Sequence, residues 1–379
     1  MDMNRETELL HLGDTPHEWE GAVNPPVVHA SLFCFESLQE FIDTREGRKR
    51  RLAYARSGNP TTHVLEEKIA FLEQAEDALA LASGMAAITT TLLALVEAGD
   101  SLLVVSCAYG PVRRFCDTML RGLGVQTEYF APQEAADLSS RIRPNTRLIY
   151  LESPGSMTFD IQDLRSAAHA AREHGVITLA DNSWATPLYQ NPIALGIDLV
   201  VHSGTKYIAG HSDLLLGLVA GPKDLMARVR ETARLLGGVL SPDDAYLAIR
   251  GIRTLPLRMA RHHASTLRIA RWLEKRPEVR EVLHPGLESF PGHELARSQM
   301  TGYSGLFSFR LQRRDGAARH RFVDSLLSLF YLGYSWGGYE SLIVPRMDQD
   351  DTYRVSIGLE APDDLMTALN DALVAWSHD

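Results

Sequence analysis

Lys206 and Asp181 are the two side chains whose positions in the sequence most clearly predict chemistry. Lys206 follows small hydroxylated residues and comes shortly after the apolar segment 197–201. Asp181 ends a similar apolar segment, residues 176–181. A lysine that can form a Schiff base and a carboxylate that can hold a pyridinium nitrogen are two groups that pyridoxal phosphate chemistry requires. Because most lysines are exposed and do no chemistry, this interpretation needs further residues to support it.

A turn of small residues supplies a predicted seat for an anion. It lies where the apolar segment 78–82 gives way to a helical pattern. The first N–H groups of a helix have no intrahelical acceptor, and the helix dipole favours an anion beside them. The predicted backbone and hydroxyl donors to a cofactor phosphate are Ser83, Gly84, Met85, Ser203 and Thr205. Such turns also form for packing reasons alone, so the phosphate interpretation depends on Lys206.

Tyr109 is the candidate for an aromatic platform. It follows the apolar segment 101–106, as Asp181 ends its own segment. An aromatic residue at a strand end more often fills a core, because burial largely governs where aromatic side chains lie. Beside Lys206 it can instead stack on a pyridine ring, while Asp181 keeps the ring nitrogen protonated. A ring in that state withdraws electrons from an attached amino acid.

Apolar segments alternate with helical patterns over most of the chain. Strands are predicted at residues 78–82, 101–106, 147–152, 176–181 and 197–201, and helices at 66–76, 86–96 and 164–174. This alternation predicts an α/β fold with a mostly parallel central sheet covered on both faces. Ligands of such sheets bind at the carboxyl ends of the strands. Ser83, Tyr109, Asp181 and Lys206 all follow predicted strands.

The length of 379 residues favours two domains. We predict an N-terminal arm at 1–56, a large cofactor-binding domain at 57–245 and a smaller C-terminal α/β domain at 246–379. The arm contains two consecutive prolines, which exclude an interior helix there. In the small domain we expect helices at 257–274, 320–330 and 363–377, and strands at 305–311 and 353–358.

Composition excludes several classes of protein. The net charge of −10, with no dominant basic stripe, argues against a nucleic-acid partner. Cys34, Cys107 and Cys116 are too few and too irregular for a disulfide framework or a zinc site, so no metal is expected. Residues 79–96 carry no charge, but a small-residue turn interrupts them, which favours a strand and a buried helix over a membrane span. With a polar, acidic segment at 1–14, we expect a cytoplasmic enzyme.

Seven segments carry a resemblance to a known family. They are 54–61 (YARSGNPT), 82–87 (ASGMAA), 151–156 (LESPGS), 181–185 (DNSWA), 203–213 (SGTKYIAGHSD), 334–342 (YSWGGYESL) and 354–360 (RVSIGLE). With these segments in the same order along nearly the whole chain, the sequence resembles the Cys/Met-metabolism family of pyridoxal phosphate enzymes. The resemblance implies the α/β architecture of fold type I and pyridoxal 5'-phosphate as cofactor.

The resemblance also implies an active site shared between subunits. Tyr54 and Arg56 look like phosphate ligands that this family supplies from a neighbouring subunit. A homo-oligomer is therefore expected, usually a tetramer built as a dimer of dimers. Within the site the family similarity assigns catalytic roles to Lys206, Tyr109 and Tyr54.

An amino-acid substrate is implied by a second group of residues. Arg354 looks like the clamp for the substrate carboxylate, a role that suits the planar fork of arginine. Ser335 and Trp336 are expected beside that clamp, and Tyr246 resembles a substrate-side tyrosine of the family.

Two branches of the family are open at this stage. Trp336 and the segment 152–156 resemble the carbon–sulfur β-lyase branch. That activity cleaves L-cystathionine, or related cysteine S-conjugates, to a thiol, pyruvate and ammonia in methionine metabolism. The segment 54–61 is instead typical of enzymes that eliminate or replace a γ-substituent, acting on cystathionine or O-acyl-homoserine. Pro111 stands where methionine γ-lyases have a cysteine, which disfavours that one activity.

Overall fold

The computed structural model describes residues 4–312, 316–346 and 351–377, and this part of the chain contains two β-sheets. The larger sheet contains β1 Asp77–Leu81, β2 Ser101–Val105, β3 Gln126–Phe130, β4 Thr146–Glu152, β5 Ile177–Asp181, β6 Leu199–Ser203 and β7 Gly217–Gly221. The smaller sheet contains β8 Val279–Leu283, β9 Leu306–Leu311, β10 Tyr331–Leu332, β11 Leu342–Pro345 and β12 Thr352–Ser356.

Helices accompany both sheets. Up to residue 236 they are α1 Arg5–His11, α2 Leu38–Arg45, α3 Pro60–Glu73, α4 Gly84–Leu95, α5 Gly110–Phe115, α6 Leu164–His174, α7 Thr186–Tyr189 and α8 Lys223–Leu236. The later helices are α9 Pro242–Arg253, α10 Leu255–Leu273, α11 His293–Gln299, α12 Gly316–Leu326 and α13 Pro362–Ser377. None of the described helices is both long enough and apolar enough to span a membrane.

The larger sheet is mostly parallel, as the alternating pattern predicted. Its strand order is β1-β7-β6-β5-β4-β2-β3, and the pairs among β2 to β6 are all parallel. Strand β7 is antiparallel to both β1 and β6, so those two strands run in the same direction. The carboxyl ends of β1, β2, β4, β5 and β6 therefore lie at one edge. The sequence pattern did not predict β7, because a glycine at each end of a short apolar run is typical of a loop.

Both faces of the larger sheet are covered by apolar side chains. On β7, Val219 belongs to a hydrophobic cluster with residues of α4, α6 and α8. Its neighbours Leu218 and Ala220 belong to a different cluster, with residues of α3 and α9. Since side chains alternate across a strand, the two clusters lie on opposite faces. A third cluster joins the smaller sheet to α10 through α13. The domain limits at 56 and 245 stay predictions.

The start of α3 corrects the sequence analysis, which expected a helix at 66–76. The helix begins at Pro60, where the side chain of Asn59 accepts a hydrogen bond from the N–H of Thr61. Asparagine is a favoured N-cap and proline is favoured at the first helical position, so this start follows ordinary capping rules. The helix ends at Glu73 because Gln74 adopts a left-handed conformation with φ of 57°. The helix expected at 320–330 is likewise displaced, to Gly316–Leu326.

We predict that Gly217→Ala destabilises the fold strongly. A methyl group at this position would overlap the carbonyl oxygen of Ser83, which belongs to the turn before α4. The backbone must move to relieve this clash, at a cost of about 3 kcal/mol or more in the free energy of unfolding. Urea unfolding followed by circular dichroism measures the loss. Gly122→Ala is the matched control, since a methyl group there meets no atom within 4 Å and should leave stability intact. Equal stability of the two variants would contradict the prediction.

Candidate active site

The carboxyl ends of five strands surround one cavity of about 300 Å³. Ser83 follows β1, Tyr109 follows β2, and Glu152, Asp181 and Ser203 end β4, β5 and β6. The smaller sheet closes the cavity from the other side through the start of β9 and through β12 and the loop before β11. The cavity therefore lies where the two sheets meet.

Most of the residues proposed from the sequence line this cavity. They are Ser83, Gly84, Met85, Tyr109, Asp181, Ser203, Thr205, Lys206, Trp336 and Arg354. Ser335 is in contact with the group as well, because its Oγ accepts a hydrogen bond from Nζ of Lys206 at 2.9 Å.

Tyr54, Arg56 and Tyr246 do not line the cavity. Tyr54 is 50% exposed, and the guanidinium of Arg56 lies over its ring and donates to the carbonyl of Arg234 at 2.8 Å. Tyr246 is half-buried on α9. The contribution of Tyr54 and Arg56 to a neighbouring subunit, and that of Tyr246 to a substrate, stay predictions.

Lys206 lies in the turn after β6, with its amine inside the cavity. Nζ is 5.5 Å from the centre of the Trp336 ring, in addition to its bond to Ser335. Burial lowers the pKa of Lys206 to about 8, with the positive charge of Arg354 as a further cause. Each of these effects disfavours the ammonium form. Near neutral pH, Lys206 therefore holds its proton far less firmly than an exposed lysine.

The backbone of Lys206 is held by residues of the smaller sheet. Gly337 has φ of 84°, and a methyl group there would come within 2.9 Å of the Tyr207 nitrogen and 3.2 Å of the Lys206 Cα. Tyr207 is buried, and its hydroxyl accepts a hydrogen bond from the N–H of Gly305 at 2.8 Å. The Trp336 ring lies 5.4 Å from the Tyr207 ring. Glycine is required at 337 because of both the backbone conformation and this close approach.

Two buried carboxyl groups lie side by side at the strand ends. Asp181 and Glu152 are register partners on β5 and β4. Burial raises the pKa of both groups, and the charge of Asp181 raises that of Glu152 further. Hydrogen bonds from Ser183, one of them from its N–H at 2.9 Å, lower the pKa of Asp181 and so oppose the effect of burial. Glu152 also accepts the backbone N–H of Tyr109 at 2.7 Å, so it fixes the position of that aromatic residue.

Glu152 was not proposed as a site residue from the sequence. It appeared only as part of the segment 151–156. The signal that could have revealed it is the one used for Asp181, namely a carboxylate at the end of a buried strand. Ser183, which donates to Asp181, carried no comparable signal.

Arg354 presents a buried positive charge to the cavity. It is 8% exposed on β12, and its Nη2 donates to the carbonyl of Tyr334 at 2.7 Å. Its Nη1 lies 3.9 Å from Sδ of Met157. No carboxylate pairs with it within residues 4–312, 316–346 and 351–377. A buried guanidinium without an acidic partner favours an anionic ligand, which it can bind through two parallel hydrogen bonds.

The start of α4 forms a cradle for a second anion. The Oγ and carbonyl oxygen of Ser83 accept the N–H groups of Ala86 and Ala87 at 3.1 and 3.0 Å. The earlier N–H groups, of Gly84 and Met85, lie at the positive end of the helix beside the cavity. A methyl group at Gly84 would come within 2.8 Å of Oγ of Ser203, so only glycine brings these strand ends so close.

The residues around the cavity fit pyridoxal phosphate in their chemistry. The start of α4 offers donors for the phosphate, Asp181 a carboxylate for the ring nitrogen, and Tyr109 a ring for stacking. Lys206 offers an amine of lowered pKa for the carbonyl carbon. Arg354 remains available for the carboxylate of an amino acid.

We predict that cofactor-free protein reacts at Lys206 with an amine-selective acylating reagent, with a midpoint near pH 8. The neutral amine is the reactive form, and the pKa of Lys206 is lowered to about 8. Arg354→Met removes a positive charge and should move the midpoint to higher pH, whereas Arg354→Lys keeps the charge and should move it less. Mass spectrometry of the labelled peptide gives the midpoint. A wild-type midpoint equal to that of exposed lysines would contradict the prediction.

Comparison with known proteins identifies the family. The sequence matches the family described as Cys/Met metabolism PLP-dependent enzyme over residues 6–374. A cystathionine beta-lyase of Bordetella avium is 39% identical, over 97% of each chain. An L-alanine/L-glutamate racemase of Wolbachia pipientis is 35% identical over 98% of this chain and 97% of its own.

A solved structure supports the same assignment. It is a cystathionine gamma synthase of Xanthomonas oryzae pv. oryzae in complex with aminoacrylate and cysteine, with a TM-score of 0.93, 34% identity and 99% coverage of both chains. The predictions of fold type I, of pyridoxal phosphate and of an enzyme of amino-acid metabolism are thereby confirmed. This chain belongs to the Cys/Met metabolism family of pyridoxal phosphate-dependent enzymes.

Proposed function

We propose that this protein is a carbon–sulfur β-lyase that cleaves L-cystathionine, or related cysteine S-conjugates, to a thiol, pyruvate and ammonia. The observation that carries the proposal is the contact between Lys206 and the loop of Ser335 and Trp336. Nζ of Lys206 donates to Ser335 at 2.9 Å and lies 5.5 Å from the Trp336 ring. The tryptophan is the residue by which the sequence resembles the β-lyase branch of the family.

Binding of the substrate is assigned to Arg354. Its buried guanidinium has no acidic partner in the described chain, and it faces the same cavity as Lys206. An α-carboxylate in that position places Cα of the amino acid near the Lys206 amine. Tyr109 would hold the ring of the cofactor, and the start of α4 would hold its phosphate.

Lys206 is assigned the proton transfer. Pyridoxal phosphate, when bound, supplies a carbonyl for the substrate amine and a ring that withdraws the electron pair left at Cα. Lys206 removes the proton from Cα, a role for which its lowered pKa of about 8 is suited. Asp181 would hold the ring nitrogen and keep a proton on it. The bond between Cβ and sulfur then breaks with its electron pair on sulfur, and the thiolate takes up the proton that Lys206 removed from Cα. One water hydrolyses the remaining three-carbon fragment to pyruvate and ammonia.

The restraint on Lys206 favours β-cleavage over γ-chemistry. β-Cleavage needs proton removal at Cα alone, whereas cleavage at Cγ needs a second proton removed from Cβ. A base that serves both carbons must swing along the substrate. Here the amine donates a hydrogen bond to Ser335 and lies beside the ring of Trp336. That ring packs on the buried Tyr207. This arrangement favours proton removal by Lys206 from Cα alone.

We predict that purified holoenzyme converts L-cystathionine to homocysteine, pyruvate and ammonia. Chromatography of derivatised thiols, combined with lactate dehydrogenase assay of the oxo acid, measures the products. Lys206→Ala, in which the base is absent, is the control for background reaction. Cysteine with 2-oxobutanoate would contradict β-cleavage in favour of γ-elimination. Condensation of an O-acyl-homoserine with a thiol would favour γ-replacement, and exchange of the α-proton of alanine alone would favour racemisation.

We predict that Arg354→Ala raises KM for L-cystathionine by roughly ten- to a hundred-fold, because charge-assisted hydrogen bonds to the carboxylate are worth about 1.5–3 kcal/mol. The absorbance of the bound cofactor should persist. Arg354→Lys retains the charge without the planar fork, and its KM should lie between those of the wild type and Arg354→Ala. Steady-state kinetics with spectra of each variant measures both effects. An unchanged KM in Arg354→Ala would remove this residue from the carboxylate site.

A further inference from the structure

A fully buried histidine–glutamate pair lies behind the strand ends of the active site. His202 on β6 and Glu73 at the end of α3 have side chains that are 1% and 0% exposed. Nε2 of His202 is 2.5 Å from Oε1 of Glu73. Ser203, the next residue on β6, lines the cavity, and side chains alternate along a strand. His202 therefore points to the opposite face of the sheet, where the proposed reaction makes no use of it.

The pair is connected to the residue after Asp181. Oε1 of Glu73 also accepts a hydrogen bond from Nδ2 of Asn182 at 3.0 Å. The backbone N–H of Asn182 donates to the carbonyl of Val201 at 3.0 Å, one residue before His202. One carboxylate oxygen thus joins α3 to the ends of both β5 and β6. These are the two strand ends that carry Asp181 and Ser203.

Burial of this pair carries a desolvation cost, because two of its polar atoms lack hydrogen-bond partners in the described part of the chain. Oε2 of Glu73 and Nδ1 of His202 have no hydrogen-bond partner within the described residues. A buried polar pair with unsatisfied atoms is often no more stable than apolar side chains of the same volume. Apolar side chains could therefore fill this position at a lower free-energy cost.

The charge of His202 acts on Asp181. Burial raises the pKa of Asp181, and hydrogen bonds from Ser183 and the positive charge of His202 lower it. The other titratable groups that act on this carboxyl are Glu152 and Tyr150, both on β4 and both buried. His202 therefore acts against burial and favours the ionised form of Asp181 from the far face of the sheet.

We propose that His202 and Glu73 are positioning residues that hold Asp181 in place and keep its carboxylate ionised toward the ring nitrogen of pyridoxal phosphate. A proton between Asp181 and the ring nitrogen stays on nitrogen only if Asp181 is the weaker base. The ring withdraws electrons in that protonated state. The inference rests on the proposed place of the cofactor beside Asp181, and it does not depend on which bond of the substrate breaks.

The test uses His202→Gln and Glu73→Gln, reconstituted with cofactor labelled with ¹⁵N in the ring. Glutamine at 202 retains a donor for Glu73 and removes the imidazole, and glutamine at 73 removes the carboxylate that bonds to both His202 and Asn182. In both variants we expect the ¹⁵N resonance of bound cofactor to move from the pyridinium toward the neutral pyridine position. We also expect the dissociation constant for the cofactor to rise about tenfold.

His284→Gln is the matched control. His284 is also fully buried, but it lies in the hydrophobic cluster of the smaller sheet, where its Nδ1 accepts the N–H of Gly286 at 2.9 Å. This variant should lose thermal stability without moving the ¹⁵N resonance or the cofactor affinity. If His202→Gln does not fold, Glu73→Gln alone decides the matter.

A wild-type ¹⁵N resonance in every folded variant of the pair would overturn the inference and leave His202 a packing residue. A shifted resonance with no cleavage of L-cystathionine by the wild-type enzyme would instead support the inference and contradict only the proposed reaction.

Discussion

Burial of two cations and two carboxyl groups around one cavity is the constraint on which this structure depends. Lys206 and Arg354 face the same space as Asp181 and Glu152, and no salt bridge joins a cation to an acid among these four in the described chain. Direct pairing inside the cavity would satisfy the charges and fill the site. Their separation leaves each group with a desolvation cost that its hydrogen bonds within the protein offset only in part. A ligand with a phosphate, a basic ring nitrogen and an amino-acid carboxylate has the complementary charges.

The fold keeps the two cations apart from the two acids by placing them on different elements. The acids lie on adjacent parallel strands, β4 and β5, and Arg354 lies on β12 of the other sheet. Lys206 is held between the sheets, since Gly337 touches its backbone and Tyr207 bonds to Gly305. A small shift of one sheet relative to the other would change the distance between Lys206 and Arg354. The contacts of Tyr207 and Gly337 therefore hold the backbone of Lys206 at the junction of the two sheets.

Local patterns in the sequence predicted the parts of the fold that depend on local physics. The buried strand ending at Asp181 and the helix after Gly84 follow from apolar periodicity and turn chemistry. Strand β7 was missed because its pairing with β1 and β6 is set by tertiary contacts and not by its own residues. In the site, Glu152 resembled any other residue of its motif until the register of β4 and β5 placed it beside Asp181. The pair of Glu73 and His202 joins residues 129 positions apart, which a single sequence cannot reveal.

One arrangement of cofactor groups can serve several reactions, and the relatives illustrate this. Proteins named as a β-lyase, a γ-synthase and a racemase share this fold and more than a third of these residues. All three reactions begin with removal of the proton at Cα, so Asp181, Tyr109 and the start of α4 cannot distinguish them. We propose that the differences arise afterwards, in the carbon to which the lysine amine can carry that proton. In the function we propose, Ser335 and Trp336 limit that movement, because both contact the Lys206 amine from the loop before β11.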